Sequence, residues 1–231
     1  MIKLTEIKRT AMPSLPAAEF YSPVFQQRGQ EPYIVLAYPK FADTVERAVN
    51  IPINLLYLGT YLRARGVRVK LLDALWEENF EEVLLREAKD ATAVGLSAMT
   101  FQLPHTLQLV ELLKREYPEK PLLLGGVHPT LFAEQVIQDP RIDYVVKGEG
   151  EIPILRILDV LLGHADQASL KNAPGIAYHD RDSKAQVSPA FAELVDYRDY
   201  PEVDYSLLNP GVLDGYKESD TLYFPMVTSR G

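Results

Sequence analysis

The 231-residue chain contains no cysteine, which excludes disulfides, a thiolate nucleophile and iron-sulfur ligands of its own. It has no run approaching the roughly 20 apolar residues that cross a bilayer, and residues 1–20 lack the apolar centre of a signal peptide. These absences predict a cytoplasmic protein without a membrane partner. Basic charge is also short, with 24 Lys and Arg against 32 Asp and Glu and a net charge of -8. No basic stripe is available to displace counterions from a phosphate backbone, so nucleic acid is not an expected partner. The first strand-like run ends in Tyr38, Pro39, Lys40 and Phe41 with no GxGxxG after it, so the close backbone approach to a dinucleotide pyrophosphate is missing. The third ends in Ser97, Ala98, Met99 and Thr100, without the Asp of a phosphoryl-accepting receiver domain.

What is present is an ordinary globular balance of 47% hydrophobic and 24% charged residues. The length allows one large domain, or one of usual size with an appendage. Residues 1–32 carry Pro, Gln and Ser without sustained periodicity and read as an N-terminal leader. Short apolar, β-rich runs then recur at 33–38, 67–72, 93–97, 121–124 and 144–146, with helical patterns between them. Leu55, Leu58 and Leu62 precede Gly66, and Leu107, Val110 and Leu113 precede Pro118. Asn79 offers a cap for a helix over 80–89, with Glu81 and Glu82 at its positive end. The strands carry almost no charge, as expected when helices cover both faces of a parallel sheet.

This pattern predicts an α/β, doubly wound, flavodoxin-like five-stranded parallel sheet of order 2-1-3-4-5, whose ligand crevice lies beyond the carboxyl ends of strands one and three. A helix over 151–162 closes a domain bounded at 33–166. Residues 167–231 form a connector, with a small β-hairpin at 175–187, a Tyr- and Pro-rich stretch over 191–223, and a strand at 222–227 that stops at Thr228, Ser229, Arg230 and Gly231.

Four strand-end loops hold the candidate chemistry. Ser97, Met99 and Thr100 offer hydroxyls and small side chains, suited to a polar tail lying along backbone or to plain helix capping. Gly125, Gly126, Val127, His128 and Pro129 follow strand four, where two glycines allow close approach by something flat. His128 reads equally as a hydrogen-bonded structural residue or a ligand contact. Gly148, Glu149 and Gly150 follow strand five and lead into a helix start, as a ligand loop or a capping turn. Leu75 and Trp76 follow strand two, where a lone Trp is either core or the cover of an apolar ligand face.

In that order these loops resemble the cobalamin-binding domain of the cobalamin-dependent radical S-adenosylmethionine family, over residues 33–231. The resemblance rests on residues 51–59, on the loop with Ser97 and Thr100, on Gly125, Gly126, Val127, His128 and Pro129, and on residues 143–151. Residues 173–178 resemble the family's hairpin and residues 200–205 its linker. In the family, an end like Thr228, Ser229, Arg230 and Gly231 leads into the CxxxCxxC motif, so the resemblance implies a fragment cut before that motif.

It further implies cobalamin contacts at Pro39, Lys40, Phe41, Leu75, Trp76, Ser97, Met99, Thr100, Gly125, Gly126, Val127, His128, Pro129, Gly148, Glu149 and Gly150. Methionine-synthase-type domains use DxHxxG to give cobalt a histidine. Here Leu75 stands at the histidine position and Glu78 at the glycine, so no metal ligand comes from that loop and the implied cobalamin is base-off. For the full-length protein the resemblance implies a C-terminal radical domain on the same polypeptide, a four-iron four-sulfur cluster, S-adenosylmethionine, and methyl transfer to an unactivated centre. No residue of this chain is assigned a catalytic role. The alternatives are a stand-alone cobalamin carrier or sensor, and a non-cobalamin doubly wound module whose glycine loops are only turns.

Overall fold

The structure is a computed structural model that describes residues 31–40 and 51–212, together with Phe25. Phe41, most of the expected leader and the expected strand at 222–227 lie outside the described residues. Seven strands form one sheet of order β2-β1-β3-β4-β5-β6-β7. They are β1 Tyr33–Tyr38, β2 Arg68–Asp73, β3 Ala93–Ser97, β4 Leu122–Gly125, β5 Tyr144–Val146, β6 Ile176–His179 and β7 Ala185–Val187. The first five pair in parallel in the expected order.

The strand count is a correction. The hairpin is not separate from the sheet, because β6 pairs antiparallel to β5, and β7 to β6. Gly175 makes this return possible. Its φ is +77°, and a Cβ there would stand 2.6 Å from the side chain of Ala192. The backbone of Lys147 is stitched to both neighbours, donating to Gly175 O at 2.8 Å and accepting from Ala192 N at 3.1 Å. The expected boundary at 166 falls just before a 3-10 segment, Gln167–Asn172, and the strands on either side of it share the sheet.

The helices are α1 Ile53–Ala64, α2 Phe80–Asp90, α3 Leu103–Glu116, α4 Val127–Leu131, α5 Ala133–Val136 and α6 Glu151–Leu161. Period-two alternation along the strands divides the core in two. Ile34, Leu36, Leu123, Val146 and Ile176 face α1 and α6, packing with Leu55, Leu56, Leu62, Leu155 and Leu158. Val35, Ala37, Val94, Leu96, Leu124 and Val145 face α2, α3 and α5, packing with Leu84, Leu109, Leu113 and Val136. Asn79 does occupy the position before α2, but with a left-handed backbone and no side-chain capping bond.

After β7 the chain returns across α1. Asp204 N–H donates to Thr60 Oγ1 at 3.0 Å, and its carboxylate lies 2.8 Å from Arg63. Leu207 seats on Gly59, and Asn209 Nδ2 donates to Glu77 Oε2 at 3.2 Å. None of the helices among the described residues is long and apolar enough to cross a membrane.

Candidate functional site

The inward positions at the carboxyl half of the sheet are unusually small. Gly95 and Gly125 point to the α1/α6 face, in line with Leu36, Ser97, Leu123 and Val146. With no side chain at those two positions, α1 and α6 leave a gap over the carboxyl half of the sheet. A cleft of about 460 Å³ remains, within the rough 300–1,000 Å³ range of small-molecule sites. Its walls are Asn54, Leu55 and Leu58 of α1 and Ile154 of α6. Its mouth is formed by Gly126, Val127, Thr130, Leu131, Gly148, Glu149, Gly150 and Glu151.

The two glycines of the β4 loop are glycine for different reasons. Gly126 has φ +95°, and a Cβ there would meet Ala98 N and O at 2.8 Å. The fold itself demands it, because the β4 loop is zipped to the β3 loop through Ala98 N–H to Gly125 O at 2.8 Å and His128 N–H to Ala98 O at 3.0 Å. At Gly125 a Cβ would meet nothing closer than Val146 Cβ at 3.7 Å, an ordinary contact, so the chain's own packing does not require glycine there. The space is kept open on the cleft side. Gly148, at the mouth, has φ +84°, and its N–H is held by Thr130 Oγ1 at 3.0 Å.

Of the expected site residues, the structure brings Ser97, Gly125, Gly126, Val127, Gly148, Glu149 and Gly150 together around this cleft. The others among the described residues lie along the same sheet edge but outside it. Thr100 Oγ1 and His128 Nδ1 are 3.2 Å apart, and the His128 ring packs tilted against Phe132 with centroids 4.9 Å apart. Pro129 is buried in α4. Met99 donates its N–H to Gln102 Oε1 at 2.9 Å. Trp76 packs beneath the returning segment, against Gly211. Pro39 and Lys40 sit at the end of β1, and Lys40 faces a second hollow with Ala74, Phe80 and His105.

Leu75 is presented by a tight turn built on Asp73. The Asp73 carbonyl accepts from Trp76 and Glu77 N–H at 3.0 and 2.9 Å, and Oδ1 accepts from Leu75 N–H at 2.9 Å. Oδ2 finds no partner among the described residues. Burial pushes this carboxyl up to about 6, against the Leu75 hydrogen bond that favours the ionised form. No group of three or more His, Cys, Asp or Glu side chains able to hold a metal is found among the described residues.

Sequence reasoning missed the α1 wall as part of the site. Asn54, Leu55 and Leu58 line the cleft, yet leucines at that spacing read as simple core. The signal was available in Gly95 and Gly125, two bare inward positions opposite that helix.

Residues 44–158 match the B12 binding domain family. The chain is 28% identical to the anaerobic magnesium-protoporphyrin IX monomethyl ester cyclase of a Synechocystis species over 158 residues, covering 66% of this chain and 31% of the cyclase. It is 26% identical to the cytidylyl-2-hydroxyethylphosphonate methyltransferase of Streptomyces wedmorensis over 197 residues, covering 75% of this chain and 35% of that enzyme. The chain thus spans about a third of the length of these relatives. In fold it is similar to the cobalamin-dependent S-adenosylmethionine radical enzyme OxsB with aqua-cobalamin and S-adenosylmethionine bound, at a TM-score of 0.62 and 19% identity, covering 75% of this chain and 24% of OxsB.

Proposed function

We propose, from the premise that this chain carries a B12-binding domain over residues 44–158, that it is the cobalamin-binding part of a cobalamin-dependent radical S-adenosylmethionine enzyme whose reaction is methyl transfer. The observation that carries the reading is the cleft at the carboxyl edge, kept open by a glycine at residue 125 that the fold does not require. A flat heteroaromatic base on a ribose tail fits such a slot. The leucines of α1 and Ile154 would hold the base, and Ser97 with the loop backbones at Gly126 and Gly148 would meet the polar tail.

When bound, the cofactor would supply a cobalt-held methyl group, and the work of this chain is to bind and orient. Leu75, an apolar residue in the turn on Asp73, stands at the sequence position that DxHxxG domains give to histidine. The tail base would then be detached from the metal, without an imidazole from this loop in its place. Among the described site residues outside the cleft, Pro39, Lys40, Met99, Thr100 and His128 would form the rim that faces the corrin ring.

The length of the relatives supports a further catalytic domain on the same polypeptide, carrying the four-iron four-sulfur cluster and the S-adenosylmethionine site; the protein would be cytoplasmic. The test is absorbance titration of the 231-residue chain with hydroxocobalamin, followed by gel filtration. A coloured protein peak with a base-off spectrum is expected. A colourless peak would remove the reading, and a base-on spectrum would remove the detached tail.

A further inference from the structure

The crevice of a doubly wound sheet opens where the chain leaves β1 in one direction and β3 in the other, so its two lips are the loops after Tyr38 and Ser97. One side chain spans them. Gln102, fully buried at the entrance to α3, donates through Nε2 to Pro39 O at 2.6 Å and accepts Met99 N–H through Oε1 at 2.9 Å. Its backbone carbonyl accepts from Thr106 Oγ1 at 2.9 Å, which fixes the backbone from which the side chain projects. One turn later His105, also buried, accepts Lys40 N–H at Nδ1 over 3.0 Å. A backbone amide can only donate, so Nδ1 carries no proton and the ring is the neutral Nε2–H tautomer.

We propose that Gln102 and His105 are positioning residues that latch the Pro39–Lys40 lip to the β3 lip, fixing the width of the crevice in which a corrinoid would lie, and that the latch opens when His105 takes up a proton. The reference to a corrinoid rests on the function proposed above, whereas the latch itself rests only on these hydrogen bonds. Protonation removes the lone pair that Lys40 uses and leaves two N–H groups facing each other. The surroundings set the direction. Burial, then the Lys40 ammonium, hold the imidazole below its ordinary range, while Glu81 at the start of α2 opposes them. Glu82 borders the same hollow, and the Phe80 ring lies 6.2 Å away and contributes no charge. The latch is therefore closed at neutral pH and opens on the acid side of the usual histidine range.

Asparagine and glutamine separate position from chemistry. The Oδ1 of Asn superposes on the site of Nδ1, whereas the Oε1 of Gln reaches one bond further. Hydroxocobalamin affinity of the 231-residue chain is measured for wild type, His105→Asn and His105→Gln from about pH 7.5 down to about pH 5. In parallel, hydrogen-exchange protection of the Lys40 amide is measured without ligand. Wild type should lose roughly tenfold in affinity across that range, the worth of about one hydrogen bond. His105→Asn should bind like wild type at neutral pH and stay flat, and His105→Gln should be weak throughout.

Lys40 protection should follow the same three patterns. A wild type with flat protection, or an Asn variant no better protected than the Gln variant, would overturn the latch. Protection that behaves as expected in a protein that takes up no hydroxocobalamin would leave the latch standing and remove the cofactor reading instead. Affinity that ignores protection would show that the latch does not set the crevice.

Discussion

At the scale of single residues, neighbouring glycines have separable meanings. Gly125→Val places a β-branched residue in a strand position with ordinary clearances, which a strand favours. The fold should survive, with thermal melting unchanged or slightly raised, while hydroxocobalamin affinity falls by at least about tenfold, as expected when a side chain fills a ligand slot. Gly126→Ala should do the reverse at the outset, destabilising the unliganded protein by about 2 kcal/mol or more through its positive φ and its clash with Ala98. Asp73 gives a pH-dependent case. Its folded-state pKa of about 6 lies above the model-compound value of 3.8, so ionisation penalises the fold as pH rises from the lower value through the higher. Asp73→Asn keeps the acceptor for Leu75 N–H and removes that penalty. Denaturant melts should show a gain of about 2 kcal/mol near neutral pH that vanishes below about pH 4.

At the scale of elements, the strands were legible because buried parallel strands must be continuous apolar runs, and β1, β3 and β5 begin and end where that pattern does. The last two strands were legible as a hairpin but not as part of the sheet. Pairing of β6 with β5 depends on the close approach of Gly175 to Ala192, a contact between residues distant in sequence that leaves no local mark. The slot was half legible for a related reason. Strand-end loops announce themselves by glycine, whereas Leu55 and Leu58 use the spacing of any core-facing helix whether they meet the sheet or an opening. Gly59 shows what such a helix also conceals. Glycine inside a helix costs about 1 kcal/mol relative to alanine, and here it admits Leu207 of the returning segment, whose Cδ1 would stand 3.0 Å from an added Cβ. Leu207→Ala should cost about 2–3 kcal/mol. Gly59→Ala should be neutral or mildly harmful alone, yet restore about 1 kcal/mol in the Leu207→Ala background. Additive behaviour in urea unfolding would show that the segment does not seat on α1.

At the scale of the whole molecule, the cleft, its walls and the returning segment form one linked system. The helix that walls the slot, α1, is held from outside by Asp204, Leu207 and the Arg63 ion pair. Anything that occupies the slot must therefore stabilise the folded chain as a unit, and by mass action a ligand at about one hundred times its Kd adds roughly 2.7 kcal/mol. In a chain of this length each kcal/mol moves the melting temperature by about 2–4 °C, so saturating hydroxocobalamin should raise it by about 5–10 °C. The same addition should raise Gly125→Val by no more than about half as much, because the side chain at residue 125 fills the slot. The Gly126→Ala protein should start lower and climb with ligand, since its defect lies in the loop backbone and the slot itself stays open. An equal rise in wild type and Gly125→Val would locate the bound corrinoid somewhere other than the cleft between α1 and α6, and would separate the opening at residue 125 from the binding it is argued to serve.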